Sequence, residues 1–237
     1  MDQILHIGCG GAEKFVRDFS GAKRVVLVTD GAAYKLSGAA GFFDPLLAEA
    51  VRLVIKTPNP KVEEVQSLLD ALGGKSVGAF IAVGGGTAMD TTKLLNFAVS
   101  TGLAVRELLR QTTCPELLPF LGVPTTAGTG AEATRFAVCY DGETKCSIDF
   151  LGIRPSHVLL LPELSASLPA YQKASTNFDA YAQAVESLWA KGATDESKAY
   201  AKRALDLMNA NNWPEASYWA GRAIDISRTT AAHAFSY

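Results

Sequence analysis

Short apolar runs alternate with amphipathic segments over residues 1–162 of the chain. Runs rich in Val, Ile and Leu that end in turn residues are typical of buried strands. Residues 61–72 instead place their apolar side chains three or four positions apart, which predicts a crossover helix. Alternating strands and helices predict a parallel sheet covered by helices. The predicted strands span residues 25–29, 53–55, 79–83, 120–123 and 158–161.

Residues 134–148 carry a different apolar pattern. Phe136, Val138 and Tyr140 recur at period two and are followed by the turn Asp141-Gly142, which predicts a β-hairpin. We expect this hairpin to lie over the ligand-binding edge of the sheet.

The pattern changes again after Pro162, because β-rich runs disappear and helical spacing takes over. Prolines at 162 and 169 end regular structure there, and Ser165 or Ser167 is expected to cap the next helix. The sequence therefore predicts an α/β domain at residues 1–162 followed by an all-α domain at residues 163–237. Helices are expected at residues 170–191, 195–209, 213–226 and from 229 onward.

Composition narrows the class of protein. A chain of 237 residues with 48% hydrophobic residues can bury a substantial core, and its net charge of -2 gives no support for binding nucleic acid or anionic membranes. The apolar runs are too short to cross a bilayer. The four cysteines lack CxxC spacing, and no signal-like segment opens the chain. We expect a soluble cytoplasmic protein with reduced thiols.

Two glycine-rich turns follow predicted strands, Gly84-Gly85-Gly86 and the segment 124–132. Glycine lets the backbone approach an anion closely, and the helix that follows points its N–H groups at that anion. The glycine triplet alone is equally compatible with an ordinary turn. The second turn adds the hydroxyls of Thr125, Thr126 and Thr129. Since both turns lie at the carboxyl edge of one sheet, they predict the phosphate site of a nucleotide.

These motifs, GGGTAMDTTK at residues 84–93 and PTTAGTGAE at residues 124–132, resemble the iron-containing (group III) alcohol dehydrogenase family, which shares its fold with dehydroquinate synthase. The resemblance covers the whole chain and implies a Rossmann-like parallel sheet with helices on both faces. Family members continue beyond residue 237, which implies that the helical metal and substrate domain is incomplete here. The residues around Gln183 look like the branch that includes phosphonoacetaldehyde reductases.

The resemblance implies a set of cofactor-binding residues. Asp30 ends a Val-rich strand, where a carboxylate can accept hydrogen bonds from ribose hydroxyls and repel a 2'-phosphate, which favours NAD over NADP. Alternatively, Asp30 only initiates a turn before Gly31. The remaining residues implied for the cofactor are Gly84, Gly85, Gly86, Thr87 and Asp90 near the pyrophosphate and nicotinamide, Thr125, Thr126 and Thr129 near the adenosine and phosphates, and Lys145 near the nicotinamide ribose.

A divalent metal is the second cofactor that the resemblance implies, Fe²⁺ first and Zn²⁺ second. Asp179 and Gln183 lie four positions apart on one helical face, where the family binds its metal with Asp and His. An amide oxygen is a weaker ligand than imidazole, so the metal affinity should fall. His233 matches the next metal ligand of the family. Without the resemblance, these residues would be weak evidence for a metal site, because Asp-x-x-x-Gln is common on solvated helix faces and a lone His is more often a core residue. The other two histidines, His6 and His157, match no ligand position of the family and are expected at strand ends.

Lys145 and Tyr237 are the candidate catalytic residues. Tyr237 follows His233 by four positions and is placed near the proton path, although a tyrosine pKa of about 10 is poorly matched to neutral pH. The expected function is NAD-dependent, metal-assisted hydride exchange with a small alcohol or aldehyde. A dehydroquinate-synthase-like cyclase or lyase and a catalytically silent NAD-binding protein are the alternatives. Helices after Gly192 that lack packing partners predict a homo-oligomer, with a dimer expected.

Overall fold

The computed structural model describes residues 3–235. Within them, a parallel sheet has the strand order β1-β8-β5-β4-β2-β3, and β6 and β7 form a separate antiparallel hairpin. The strands are β1 (Ile4–Ile7), β2 (Val25–Asp30), β3 (Val51–Ile55), β4 (Ala79–Gly84), β5 (Phe120–Pro124), β6 (Phe136–Asp141), β7 (Thr144–Asp149) and β8 (His157–Leu160). The predicted fold class, an α/β part followed by an all-α part, is confirmed.

Helices cover the sheet and then form the rest of the described chain. They are α1 (Ala12–Ser20), α2 (Gly31–Leu36), α3 (Ala39–Leu46), α4 (Val62–Ala71), α5 (Gly86–Thr101), α6 (Val105–Leu108), α7 (Ala170–Trp189), α8 (Asp195–Asn209), α9 (Trp213–Ser227) and α10 (Ala231–Phe235). Only short 3₁₀ turns occur besides them, and α8 begins where the Thr194 side chain accepts a bond from the Ser197 N–H.

The sheet is buried on both faces because successive strand residues point to opposite sides. Val26 and Val28 of β2 belong to one apolar cluster, which includes Leu94 of α5. Leu27 belongs to a second cluster on the other face, together with Phe43 of α3 and Val16 of α1. Helices on both faces therefore account for the near-continuous apolar runs of the central strands.

The predicted strands all occur, but β1 was missed. It has four residues, with Ile4 and Ile7 exposed, so its sequence carries no buried pattern. It forms by pairing in parallel with β8 at the edge of the sheet. His157 opens β8, as expected, whereas His6 lies inside β1.

The hairpin and the helices also match their predictions closely, with one exception. The expected serine cap of α7 is wrong, because α7 begins at Ala170 after Pro169 and no side chain caps it. Ser165 instead donates to the carbonyl oxygen of Pro162 within a 3₁₀ turn. The proposed boundary between residues 162 and 163 stays a prediction.

The helices α7, α8 and α9 pack on one another through small residues, which allow close approach. Their shared cluster contains Ala180, Ala184, Ala204 and Ala220. The expected apolar exposure after Gly192 is therefore wrong for the described residues, since the large exposed apolar side chains of the helical part all belong to α7. These side chains are Tyr171, Phe178, Tyr181, Leu188 and Trp189.

Among residues 3–235, no helix combines the length and the apolarity that a membrane-crossing segment requires.

Candidate active site

A cavity of about 490 Å³ opens at the carboxyl edge of the sheet, between the hairpin and the helices α7, α9 and α10. It brings together residues from both glycine-rich turns, the hairpin and the helical part of the chain. The predicted site residues that line it are Gly86, Thr87, Asp90, Thr129, Lys145, Asp179, Gln183 and His233. Tyr237 lies outside the described residues.

The two glycine-rich turns lie side by side because β4 and β5 are neighbouring strands. Thr125 donates its backbone N–H to the carbonyl oxygen of Gly84 over 3.0 Å. A Cβ atom on Gly86 would lie 3.1 Å from Thr129 Oγ1, so the turns touch at this point. Gly86 opens α5, a helix of 16 residues, whose first N–H groups have no helical partner. The junction is therefore suited to an anion such as a pyrophosphate.

Asp30 lies next to this junction, at the end of β2. One carboxylate oxygen accepts the Gly85 N–H over 3.3 Å, and the other, Oδ1, is buried without a hydrogen-bond partner among the described residues. Burial raises the pKa of Asp30, and the Gly85 N–H opposes that rise. The side chain makes no capping bond to α2, so the turn-initiating interpretation gains no support. The unpartnered oxygen lies against Gly84 of the first glycine-rich turn.

Asp30 does not line the cavity itself. Gly84, Gly85, Thr125 and Thr126 also lie outside its wall, on the sheet edge beside it. The structure thus separates the predicted cofactor residues into a group in the cavity and a group along the sheet edge.

Asp90 has a structural task that the sequence did not reveal. Its carboxylate accepts the Val138 N–H over 3.0 Å and a bond from Lys93 Nζ over 3.3 Å. Lys93 is completely buried and also donates to Thr134 and to the carbonyl oxygen of Phe136. Burial lowers the pKa of Lys93 and raises that of Asp90, while their attraction opposes both shifts. The pair fixes the hairpin over α5.

The candidate metal ligands meet between α7 and α10. Asp179 Oδ1 lies 3.6 Å from His233 Nε2, and burial raises the pKa of Asp179 while His233 opposes that rise. Gln183 donates through Nε2 to the carbonyl oxygen of Thr129 over 3.3 Å. Its Oε1 is buried and has no hydrogen-bond partner among the described residues.

Glu186 is a member of this cluster that sequence reasoning missed. Its Oε1 lies 3.6 Å from His233 Nδ1, and its Oε2 accepts both the backbone N–H and the hydroxyl of Thr230. A signal was present, because positions 179, 183 and 186 share one helical face. A carboxylate beside the second ring nitrogen of a ligating histidine fixes the ring orientation and the tautomer.

The donors fit a divalent cation when the amide oxygen of Gln183 is counted as one of the ligands. Within residues 3–235, no three His, Cys, Asp or Glu side chains assemble into a metal-binding group. A cation here therefore depends on the unpartnered amide oxygen of Gln183, together with Asp179 Oδ1 and His233 Nε2. Two oxygens and one imidazole suit a borderline divalent ion, and the neutral amide makes the site weaker than one with a second imidazole.

Arg228 lines the cavity and was not predicted from the sequence. It follows α9 with φ 65° and ψ 173°, a region that essentially only glycine occupies and that costs a non-glycine residue about 1–3 kcal/mol. Its guanidinium lies 4.2 Å from the Phe136 ring centroid and pairs with Asp149. Burial lowers the pKa of Arg228, and Asp149 opposes this shift. Strain of this kind concentrates at functional sites.

The chain is similar to known proteins in sequence and in fold. A sequence profile described as "Iron-containing alcohol dehydrogenase" matches residues 3–162. The phosphonoacetaldehyde reductase of Streptomyces viridochromogenes is 31% identical over 224 residues, which cover 81% of this chain and 56% of the relative. The NAD-dependent methanol dehydrogenase of Bacillus methanolicus is 30% identical over 196 residues, which cover 80% of this chain and 51% of the relative. The chain thus spans little more than half the length of these two relatives.

Solved structures of related enzymes have the same fold as this chain. A crystal structure of an iron-containing alcohol dehydrogenase superposes with a TM-score of 0.89 at 27% identity, covering 100% of this chain and 71% of that one. The sulfoacetaldehyde reductase of Bifidobacterium kashiwanohense in complex with NAD+ superposes with a TM-score of 0.85 at 29% identity, covering 99% of this chain and 68% of that one. This chain belongs to the iron-containing alcohol dehydrogenase family.

Proposed function

We propose that this chain binds NAD(H) and a divalent metal and exchanges hydride between the nicotinamide and a small alcohol or aldehyde. One observation carries the proposal: a single cavity joins the N-terminus of α5 to Asp179, Gln183 and His233. An anion site and a cation site that face the same space are what a nicotinamide cofactor and a Lewis acid require. The named activities of the two curated relatives support the same chemistry.

The proposed roles of the site residues follow from their positions. The N–H groups at the start of α5 would bind the pyrophosphate, and the carboxylate of Asp30 would accept a ribose hydroxyl. Asp179, Gln183 and His233 would hold the cation, with Fe²⁺ expected before Zn²⁺. A bound cation would supply a Lewis acid for the substrate oxygen, and NAD(H) would supply or take up the hydride.

The hairpin supplies the wall that excludes water. Phe136 and Val138 line the cavity from β6, and Lys145 lines it from β7. Because Asp90 and Lys93 fix the position of this hairpin, they would set the distance between Lys145 and a bound cofactor. Excluding water strengthens the electrostatic interactions within the site.

Calorimetric titration with NAD+ and NADH tests the cofactor half of the proposal. We expect binding at submillimolar to millimolar concentrations, and Gly86→Val should abolish it because the new side chain would press on Thr129. Gly41→Ala is the matched control, since a Cβ there meets nothing within 4 Å. The absence of binding heat at millimolar cofactor would refute the proposal.

Aldehyde-dependent oxidation of NADH, with Fe²⁺ or Zn²⁺ added, tests the catalytic half. A second candidate, a catalytically silent NAD-binding protein, is favoured by the neutral Gln183 in the cation site. It predicts NADH binding without turnover and without bound metal. Product analysis excludes or supports a cyclase, since only a cyclase would recycle NAD with no net hydride transfer.

We also infer a homodimer in the cytoplasm. The exposed aromatic side chains of α7 support association, and free thiols at all four cysteines fit a reducing compartment. Light scattering coupled to size-exclusion chromatography should give a mass near twice 25.1 kDa; a monomer would overturn this inference. Fractionation of cells that express the protein tests the compartment.

A further inference from the structure

We propose that Arg228 selects substrates that carry an anionic group, so that this chain acts on a small aldehyde or alcohol bearing a tetrahedral oxyanion such as a phosphonate or sulfonate. The proposal deepens the function given above and rests on it. Its basis is the position, the charge and the fixation of Arg228 in the wall of the cavity.

The guanidinium of Arg228 is held in place from two sides. One side faces the Phe136 ring, and Nη2 bonds the carboxylate of Asp149. The remaining amino group, Nη1, is buried and has no hydrogen-bond partner among the described residues. A planar guanidinium with a donor left over matches the oxygens of a tetrahedral anion.

Arg228 shares its carboxylate partner with a second arginine. Asp149 pairs with Arg228 and also with Arg135, whose Nε lies 3.2 Å from Asp149 Oδ1. A further carboxylate, Asp225, is paired with Arg154 over 3.0 Å. Of these arginines, Arg228 lines the cavity. An anion on the substrate would give Arg228 a second acidic partner.

Arg228 and His233 belong to one short segment of the chain, and both line the cavity. The anionic end of a small substrate can therefore bind at Arg228 while its oxygen lies toward the proposed cation. The backbone at Arg228 gives the same indication, because an arginine here occupies a conformation that suits glycine. A non-glycine residue in such an unfavourable backbone conformation is expected to have a functional role.

Binding of unreactive ligands tests the proposal directly. Calorimetry with 2-hydroxyethylphosphonate, 2-hydroxyethanesulfonate and the neutral 1-propanol, in the presence of NADH, gives complexes that cannot turn over. We expect either anion to bind about tenfold more tightly than 1-propanol or better, as charge-assisted hydrogen bonds allow. Arg228→Gly should remove this preference, and Arg228→Lys should keep part of it.

Two controls separate recognition from structure. Arg228→Gly should leave the melting temperature no lower than that of the wild type, since glycine adopts this conformation without strain. Arg135→Gln removes the other partner of Asp149 without touching the cavity wall and should keep the preference for anions. The proposal is overturned if Arg228→Gly still prefers the anions, or if it instead weakens NADH binding. Titrations repeated without NADH test it even if the cofactor does not bind, because the anion preference should then persist and still depend on Arg228.

Discussion

Gly130 and Gly221 meet backbone to backbone. A Cβ atom placed on Gly221 would lie 2.6 Å from the carbonyl oxygen of Gly130, and one on Gly130 would lie 2.6 Å from the Cα of Gly221. Gly130 belongs to the second glycine-rich turn and Gly221 to α9. The helix α9 therefore packs directly on a turn that we assign to the cofactor site. A shift of α9 would change the conformation of that turn.

Gly221→Ala should destabilise the protein by about 1–3 kcal/mol, the usual cost of overpacking, because the methyl group would collide with backbone atoms that cannot rotate away. Urea unfolding measures the change in free energy of unfolding. Gly41→Ala, in α3 with open space around its Cβ position, should be neutral or slightly stabilising. Equal stability of Gly221→Ala and the wild type would contradict the close contact.

Asp30→Asn should reduce the preference for NAD over NADP. The carboxylate has an unpartnered oxygen at the sheet edge, and its negative charge repels a 2'-phosphate. We expect the ratio of NAD+ to NADP+ affinity to fall by about tenfold, which corresponds to about 1.4 kcal/mol. Asp18→Asn, on the exposed surface of α1, should leave that ratio unchanged. An unaltered ratio in Asp30→Asn would remove Asp30 from the cofactor site.

Glu132 should make the protein less stable as the pH rises. Burial raises the pKa of Glu132 from 4.5 to about 7, and Lys93 opposes part of this rise. A raised pKa in the folded state means that protonated Glu132 stabilises the fold. This contribution is complete below the unfolded value of 4.5 and is lost as the pH rises through about 7.

The measurement compares the wild type with Glu132→Gln, which cannot titrate. Between pH 5 and pH 8 the free energy of unfolding of the wild type should fall relative to this variant by roughly 2–3 kcal/mol, at about 1.4 kcal/mol per pKa unit. Glu143→Gln, exposed in the hairpin turn, should track the wild type at both pH values. A pH-independent difference for Glu132→Gln would show that the carboxyl ionises normally.

Glu186→Gln should weaken metal binding by about 10–100-fold, although Glu186 is not placed as a ligand itself. The carboxylate lies 3.6 Å from His233 Nδ1 and orients the ring, and partners of this kind contribute about that much to metal affinity. Competition with a chromogenic chelator measures the affinity. The thermal unfolding of the metal-free protein is the control, since a change there of the same size would indicate a structural role instead.

Gln183→His should strengthen metal binding by roughly tenfold or more, since imidazole replaces a neutral amide oxygen. The same chelator competition checks this. Gln183→Ala, which removes the oxygen and adds nothing, should weaken binding. If all three proteins bind the metal equally, position 183 does not contribute a ligand.

The local pattern of apolar and polar residues was sufficient to predict much of the fold. The central strands and the crossover helix α4 were predicted within two or three residues, because a fully buried strand and an amphipathic helix each leave a periodic trace in the sequence. The two glycine-rich turns were also visible, since they depend on residue types at adjacent positions. The edge strand β1 was not visible, because its pairing with β8 joins residues more than 150 positions apart.

What the sequence determined by itself was the order of the central strands, the hairpin and the C-terminal helices, the two glycine-rich turns, and the family resemblance that named Asp179, Gln183 and His233. Only the tertiary structure decided that Lys93 is buried beneath the hairpin, that Glu186 lies beside His233, and that Arg228 packs against Phe136 in the cavity wall. The physical reason is the separation of the interacting residues along the chain. Periodicity within one element indicates which of its faces is buried. Contacts such as that between Glu186 and Thr230, which lie 44 positions apart, depend on how different elements pack together.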